Sequence, residues 1–268
     1  MEMENTERKK YIIISIYAIF FILIILGIYF AFKPEETCTD GRQNQNERGV
    51  DCGGVCQKEC NTIVAKDLTI GKIGVVFSGI SGKYDFYAKV ANPNAVFGDK
   101  NFAYEINLKD EAGSIIATKK GFSFILPGEE KYVVETNIEA PSVPFSQEFK
   151  ILSSDWMRFE DYYEKPDIQI INKNYSEISG GTGFANAQGL LRNRSPYDFD
   201  NIKIQIILKD STDNILALNS TQMGTIKAGE DRDFKTFWPS SFPGAVSTME
   251  AQAEVNIFNS EAFLKRTY

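Results

Sequence analysis

The chain has 268 residues, a formal net charge of −7 and no histidine. The missing imidazole excludes Ser–His–Asp and Cys–His catalysis and any zinc site with histidine ligands. Lysine and arginine cluster only at residues 8–10, so no basic surface for nucleic acid and no nucleic-acid partner are expected.

An uncharged apolar run, "YIIISIYAIFFILIILGIYFAF", occupies residues 11–32. About 20 such residues cross a bilayer, so the run predicts one transmembrane helix in contact with membrane lipid. The alternative is a cleavable signal peptide, whose apolar region is usually shorter and ends at a small-x-small site that is missing here. Three basic residues precede the run and Lys33 alone follows it closely. The positive-inside rule therefore predicts that residues 1–10 are cytoplasmic and that the chain beyond the helix lies outside the cell membrane.

The next segment, residues 33–61, contains all four cysteines: Cys38, Cys52, Cys56 and Cys60. In an oxidising compartment cysteines form disulfides, and we expect two, with three pairings open. A metal–thiolate site is the alternative, because three-residue spacings also occur in zinc sites.

Oxygen-bearing side chains lie between the first two cysteines, and calcium prefers oxygen ligands. Candidate calcium ligands are Asp40, Asn44, Glu47 and Asp51. The alternative is a turn-rich loop, in which Asp and Asn support the backbone. The stretch from Cys38 to Cys56 also resembles a short cysteine-rich element of extracellular proteins, C-x-D-G-x-x-N-x-x-E-x-G-V-D-C-G-G-x-C, which implies a cell-surface context. No cofactor other than this possible calcium is expected.

The remainder of the chain repeats itself. "NFAYEINLKD" at 101–110 aligns with "NIKIQIILKD" at 201–210, and "ILPGEE" at 125–130 aligns with "IKAGED" at 226–231. Apolar residues alternate along the repeated strand, and strands recur between turn residues. We expect a mainly β protein with two tandem antiparallel β-sandwiches, at residues 62–155 and 167–268. Residues 156–166 would form the linker.

Three features of the first copy resemble the FxLyD and WHy (late-embryogenesis-abundant) families: "NPN" at 92–94, the strand that ends in Asp110, and the "LPGE" turn at 126–129. The resemblance implies immunoglobulin-like β-sandwiches and no particular activity. The second copy departs from it, with "NRS" at 193–195 and Ala228 in place of the turn proline.

Two tryptophans, Trp156 and Trp238, stand among other aromatic residues and are candidate binding residues. The alternative is that these rings pack the cores, which aromatic side chains commonly dominate. N-glycosylation sequons begin at Asn174, Asn193 and Asn219, and their use depends on the host.

These features favour a single-pass, surface-exposed, non-enzymatic protein whose β-sandwiches have structural or binding roles in the cell envelope, with an envelope protein or glycan as partner. An accessory subunit of a membrane complex is the alternative. A hydrolase would need paired carboxylates, such as Glu160 with Asp161 or Asp231 with Asp233. Adjacent residues of a strand point to opposite faces, and exposed acids are ordinary near turns, so no enzyme is expected.

Overall fold

The computed structural model describes residues 2–32, 37–58, 64–159, 165–180, 182–259 and 262. The chain divides into two compact units, Met1–Val64 and Ala65–Tyr268. The first unit holds the helix and the cysteine-rich segment, and the second holds both copies of the repeat. Three residues of the sequence-based predictions, Cys60, Glu160 and Asp161, lie outside the described residues.

The predicted helix is confirmed as α1, Glu2–Phe32. It begins well before the apolar run, because the preceding Glu, Met and Lys residues are themselves good helix formers. Lys10–Tyr29 is long and apolar enough to cross a membrane, and none of that stretch is buried. The helix therefore fits a membrane anchor or a signal sequence.

All strands of the described chain lie in the second unit. Their bounds are β1 Thr69–Phe77, β2 Lys83–Ala91, β3 Phe97–Lys109, β4 Ile115–Ile125, β5 Glu130–Glu139, β6 Ser146–Ser153, β7 Trp156–Arg158, β8 Ile168–Glu177, β9 Ala185–Asn193, β10 Phe199–Lys209, β11 Ile215–Ile226, β12 Asp231–Trp238 and β13 Thr248–Glu254. We call β1–β7 the first copy and β8–β13 the second copy.

The first copy consists of two antiparallel sheets, ordered β1-β2-β5 and β4-β3-β6, and β7 extends the second sheet by pairing with β3. Alternate residues of β3 are buried in the core between the sheets, as the sequence pattern predicts. They are Phe102, Tyr104, Ile106 and Leu108. Strand β7 falls within the predicted linker 156–166, so Trp156 still belongs to a sheet of the first copy.

The second copy has the same strand order. Its sheets are β8-β9-β12 and β11-β10-β13, which correspond strand by strand to those of the first copy. Its core includes Ile202, Ile204, Ile206 and Leu208 from β10, each fully buried. The internal repeat in the sequence is therefore a repeat of strand topology.

A buried asparagine explains the "NPN" motif of the first copy. The Nδ2 group of Asn92 donates hydrogen bonds to the carbonyls of Phe97 at 2.7 Å and Leu126 at 3.0 Å. Its Oδ1 accepts one from the Asn94 backbone N–H at 3.0 Å. One side chain thus joins the β2–β3 loop to the β4–β5 turn and satisfies a backbone carbonyl of each.

The second copy builds the same junction around Asn193. Its Nδ2 donates to the carbonyls of Tyr197 at 2.7 Å and Lys227 at 3.1 Å, and its Oδ1 accepts from the Ser195 N–H at 3.0 Å. The Ser195 hydroxyl also accepts a hydrogen bond from the Asp167 N–H at 2.9 Å. The change from "NPN" to "NRS" is tolerated because serine still provides a side-chain oxygen for the entering strand.

Candidate functional site

The cysteine-rich segment is closed by a disulfide between Cys38 and Cys56, whose Cα atoms are 5.6 Å apart. Cys52 is disulfide-bonded as well, and no described cysteine is free. The expectation of disulfides is therefore confirmed for the described cysteines, which have no thiolate to offer a metal.

The carboxylates of the predicted calcium ligands accept hydrogen bonds from the loop itself. The Oδ1 and Oδ2 atoms of Asp51 each lie 3.1 Å from the Gly41 N–H. The Oε2 atom of Glu47 accepts from the N–H groups of Asn44 at 3.3 Å and Asp51 at 3.2 Å. These contacts match the turn-supporting role that the sequence left open as the alternative.

Asp40 has a similar environment at the start of the loop. Its carboxylate accepts from the Asn44 Nδ2 at 2.8 Å and from the Arg42 N–H at 2.9 Å. The hydrogen bond from Asn44 and that from Arg42 lower the pKa of Asp40 below its ordinary value. The hydrogen bonds of the loop therefore favour the ionised form of Asp40, and calcium binding stays a prediction.

Among the described residues, one group of three metal-ligating side chains lies close enough to hold an ion: Cys38, Glu47 and Cys56. The Glu47 Oε1 atom lies 3.0 Å from the Cys56 sulfur. Because both sulfurs belong to the disulfide, they are neutral and are poor ligands for a metal. The three residues therefore form a contact between the Glu47 carboxylate and the disulfide, and this contact is not a metal centre.

The predicted binding tryptophans pack against the two cores. Trp238 is 3% exposed, and its indole N–H donates to the Leu218 carbonyl at 3.0 Å. Its ring contacts those of Tyr175 and Phe242 edge-on. Trp156 is half-buried against the core of the first copy. Trp238 therefore packs in the core, as the alternative interpretation has it, and its ring presents no free face to a ligand.

The two acids of the predicted carboxylate pair, Asp231 and Asp233, have different surroundings. Asp231 forms a bidentate ion pair with Arg192, with oxygen–nitrogen distances of 2.6 to 3.0 Å. The hydrogen bond from Arg192 lowers the pKa of Asp231. Asp233 is exposed beside Leu190 on the same strand pair. An ionised, arginine-bound acid is unsuited to general acid catalysis.

The feature that sequence reasoning missed is the contact between the copies. On β2, Phe86 and Ala88 face the first core, while Tyr87 between them faces the second copy. On β10, Ile207 likewise points away from its own core, toward the first copy. We call this apolar contact the seam; its buried members are Tyr87, Tyr132, Val134, Ile207, Ile215 and Leu218.

The seam makes a stack of four sheet layers. The outer face of β1-β2-β5 packs on the outer face of β11-β10-β13, and each of these sheets covers its own core on the other side. A sheet that is buried on both faces loses the simple alternation of apolar and polar residues. The sequence signal was Ile207, an apolar residue at a position where the first copy has Asn107.

Polar groups fix the register of the seam. The Gln252 side chain accepts from the Tyr132 N–H at 3.0 Å and donates to the Tyr132 carbonyl at 2.9 Å. Beside it, Lys131 and Glu254 form a salt bridge at 3.2 Å, with side chains only 3% and 9% exposed. Strand β5 is at the edge of its sheet, and the Gln252 amide makes the two backbone hydrogen bonds at Tyr132 that a neighbouring strand would otherwise make.

An open cleft of about 660 Å³ lies at the mouth of the seam. Lys209 bridges Asp213 at 2.9 Å and Glu250 at 2.8 Å. Burial lowers the pKa of Lys209, but its hydrogen bonds to Glu250 and Asp213 outweigh burial and raise it overall. Lys72 of the first copy donates to the Asp213 carbonyl at 3.1 Å. The cleft therefore contains an ion-pair network of the second copy, and the Lys72 hydrogen bond joins it to the first copy.

An apolar group is exposed at one end of the first copy. Val143 is 75% exposed and Phe145 is 69% exposed in the β5–β6 loop. The Phe145 N–H donates to the Lys109 carbonyl at 2.8 Å, and Ile115, which is 55% exposed, pairs with the same residue. In the second copy the corresponding loop instead buries Phe242 in the core.

No family model matches the chain, and no curated protein matches it.

Proposed function

We propose that the chain is a single-pass membrane protein that displays two immunoglobulin-like copies outside the cell membrane, in a non-enzymatic structural or binding role. One observation carries the proposal. A helix with an unburied apolar stretch at Lys10–Tyr29 is followed directly by a segment closed by a disulfide. Disulfides persist in oxidising compartments, so their position after the helix supports export of the rest of the chain.

The orientation rests on charge. Three basic residues lie at 8–10, before the apolar run, and the acids Glu35 and Glu36 follow it. Cytoplasmic flanks retain lysine and arginine, which supports a cytoplasmic N-terminus. The remaining chain is acidic and has a packed β unit, properties that suit an exposed soluble region.

The immunoglobulin-like assignment is supported by strand order. The orders β1-β2-β5 and β4-β3-β6 correspond to strands A-B-E and C′-C-F of that fold, and the second copy repeats both. This order agrees with the resemblance to the FxLyD and WHy families. The shared fold supports a scaffold and gives no reaction.

The non-enzymatic role is supported by how several of the described acids are used. Carboxylates of the loop accept backbone hydrogen bonds, and those of the seam and of Asp231 form ion pairs. The exposed apolar group at Val143, Phe145 and Ile115 supports contact with another envelope protein, since exposed apolar patches mark such contacts.

Labelling of an added cysteine on intact cells tests the topology, with the parent chain measured for the background from its own four cysteines. The full chain carries either Ala112→Cys, in the exposed β3–β4 turn, or Asn5→Cys, in the part of α1 that precedes the apolar run. A membrane-impermeant maleimide is expected to label the first variant on intact cells and the second only after permeabilisation. Labelling in the reverse order, or labelling of neither variant before permeabilisation, would contradict the proposed export.

A further inference from the structure

The chain carries three N-glycosylation sequons, and the structure gives their asparagines different environments. The sequons are Asn174-Tyr175-Ser176, Asn193-Arg194-Ser195 and Asn219-Ser220-Thr221. A glycan is bulky and hydrated, so a folded chain tolerates it only where the asparagine side chain reaches solvent. Exposure and amide hydrogen bonding therefore decide which sequon a folded molecule can carry modified.

Asn193 is the buried asparagine that joins the loops of the second copy. It is 0% exposed, and both hydrogens of its amide are donated to backbone carbonyls. A glycan would replace one of these hydrogens and would have to occupy a filled core. A chain modified there would not reach the native fold.

The side chain of Asn219 is also hydrogen-bonded to the backbone. Its side chain is half-buried on β11, and its Nδ2 donates to the Phe237 carbonyl at 2.8 Å. Its Oδ1 accepts from the Ser220 N–H at 2.8 Å. Both ends of the amide are therefore held by the backbone of the second copy.

Asn174 differs from Asn193 and Asn219 because its side chain is exposed. It is exposed on β8, an edge strand, and pairs across the sheet with Gln188, which is exposed as well. Within the described part of the chain its amide has no hydrogen-bond partner. Tyr175 packs against the core, so Asn174 and Ser176, its neighbours on either side, lie on the outer face of the sheet.

A β-bulge makes this edge more open. The register of β8 and β9 shifts between Ile171 and Asn174, and Asn172 has a φ of 52°. A bulge bends the edge and interrupts regular pairing, which presents the adjacent side chain to solvent.

We propose that Asn174 is the N-glycosylation site of the folded protein and that Asn193 and Asn219 stay unmodified. This inference rests on the proposed export, because the transferase acts on exported segments. The donor class is a polyprenyl-pyrophosphate-linked oligosaccharide. The amide nitrogen of Asn174 forms a bond to the anomeric carbon, the bond from that carbon to the pyrophosphate oxygen breaks, and lipid pyrophosphate leaves. The amide loses one proton to a base of the transferase.

The test uses the full chain, expressed with its own helix in a eukaryotic secretory host. The folded fraction is selected by its resistance to brief proteolysis, and peptides that cover each sequon are analysed by mass spectrometry before and after enzymatic deglycosylation. The expected result is one glycan, at Asn174. Asn174→Gln and Ser176→Ala are expected to abolish it, whereas Ser176→Thr preserves the sequon and is expected to keep it.

A matched control separates this inference from the proposed export. Ala112→Asn creates a new sequon with Gly113 and Ser114 in an exposed turn. If that sequon is modified while Asn174 is empty, export is correct and the inference is overturned. Modification of neither sequon overturns both. A glycan on Asn193 or Asn219 in the folded fraction also overturns the inference.

Discussion

Asp85 is a buried carboxyl group whose ionisation opposes folding. It is 4% exposed, and its Oδ1 accepts one hydrogen bond, from the Asn137 N–H at 2.8 Å. Burial raises the pKa of Asp85 from 3.8 to about 6, although the hydrogen bond from Asn137 opposes that shift. The folded state then binds more protons than the unfolded state between these pH values. The contribution of Asp85 to the free energy of unfolding is therefore greatest below pH 4. It falls as the pH rises toward 6 and then levels off.

We expect Asp85→Asn to stabilise the protein at pH 7, by up to about 3 kcal/mol, since each pKa unit corresponds to about 1.4 kcal/mol. The asparagine Oδ1 can still accept from Asn137. Urea unfolding at pH 4 and pH 7 measures the change, and the gain should shrink at the lower pH. Glu111→Gln, an exposed change of equal charge, is the control. An equal gain from both variants at both pH values would show that the effect is not due to burial.

Asn193 shows how one side chain closes a junction. It donates two hydrogen bonds and accepts one, and it is fully buried. Removal of the amide leaves two carbonyls unpaired, so we expect Asn193→Ala to destabilise the protein by about 2–4 kcal/mol. Asn92→Ala is expected to have a similar effect, and exposed Asn174→Ala almost none. Thermal unfolding of the three variants tests this, and equal midpoints would contradict it.

Sequence reasoning located these asparagines but not their roles. The sequence places "NPN" at 92–94 and "NRS" at 193–195 in corresponding positions, and the alternation along the strand at 101–110 predicts its buried face correctly, because a period of two follows from strand geometry. Which carbonyls Asn92 bonds was not predictable, since its partner Leu126 lies 34 residues away. In the cysteine-rich loop, composition alone could not show that Glu47 and Asp51 accept backbone hydrogen bonds.

At the scale of elements, β5 and β13 are joined by a buried ion pair. Lys131 and Glu254 are each almost inaccessible, and the Lys131 Nζ also lies 4.0 Å from the centre of the Phe124 ring. Loss of one partner leaves a buried charge without compensation, whereas replacement of both by neutral groups of similar size is often nearly neutral.

We therefore expect Lys131→Met to destabilise the protein by about 3 kcal/mol and the double variant Lys131→Met/Glu254→Gln to recover most of that loss. A double-mutant cycle by urea unfolding measures the coupling. The more accessible pair Lys83 and Glu139, at 3.2 Å between β2 and β5, gives the matched control, for which little coupling is expected. Additive effects for Lys131 and Glu254 would contradict the proposed role of the pair.

At the scale of the molecule, the seam decides whether the two copies unfold together. The sequence predicted two separate sandwiches joined by a linker, and it gave little sign of the seam, because contacts between strands that are distant in the sequence leave no local period. Ile207 was visible only as an apolar residue that breaks the alternation of β10. In the structure it is 1% exposed and lies between the copies.

Each copy contains one tryptophan, Trp156 in the first and Trp238 in the second, so the two can be followed independently. We expect the single-tryptophan variants Trp156→Phe and Trp238→Phe to report coincident urea transitions of the full chain in detergent, because the seam couples the copies. Ile207→Asp places an unpaired charge in the apolar seam and is expected to separate the transitions. Lys203→Asp, at an exposed position of the same strand, should leave them coincident. Separate transitions in the parent chain would show that the seam contributes little, and that the copies behave as independent domains.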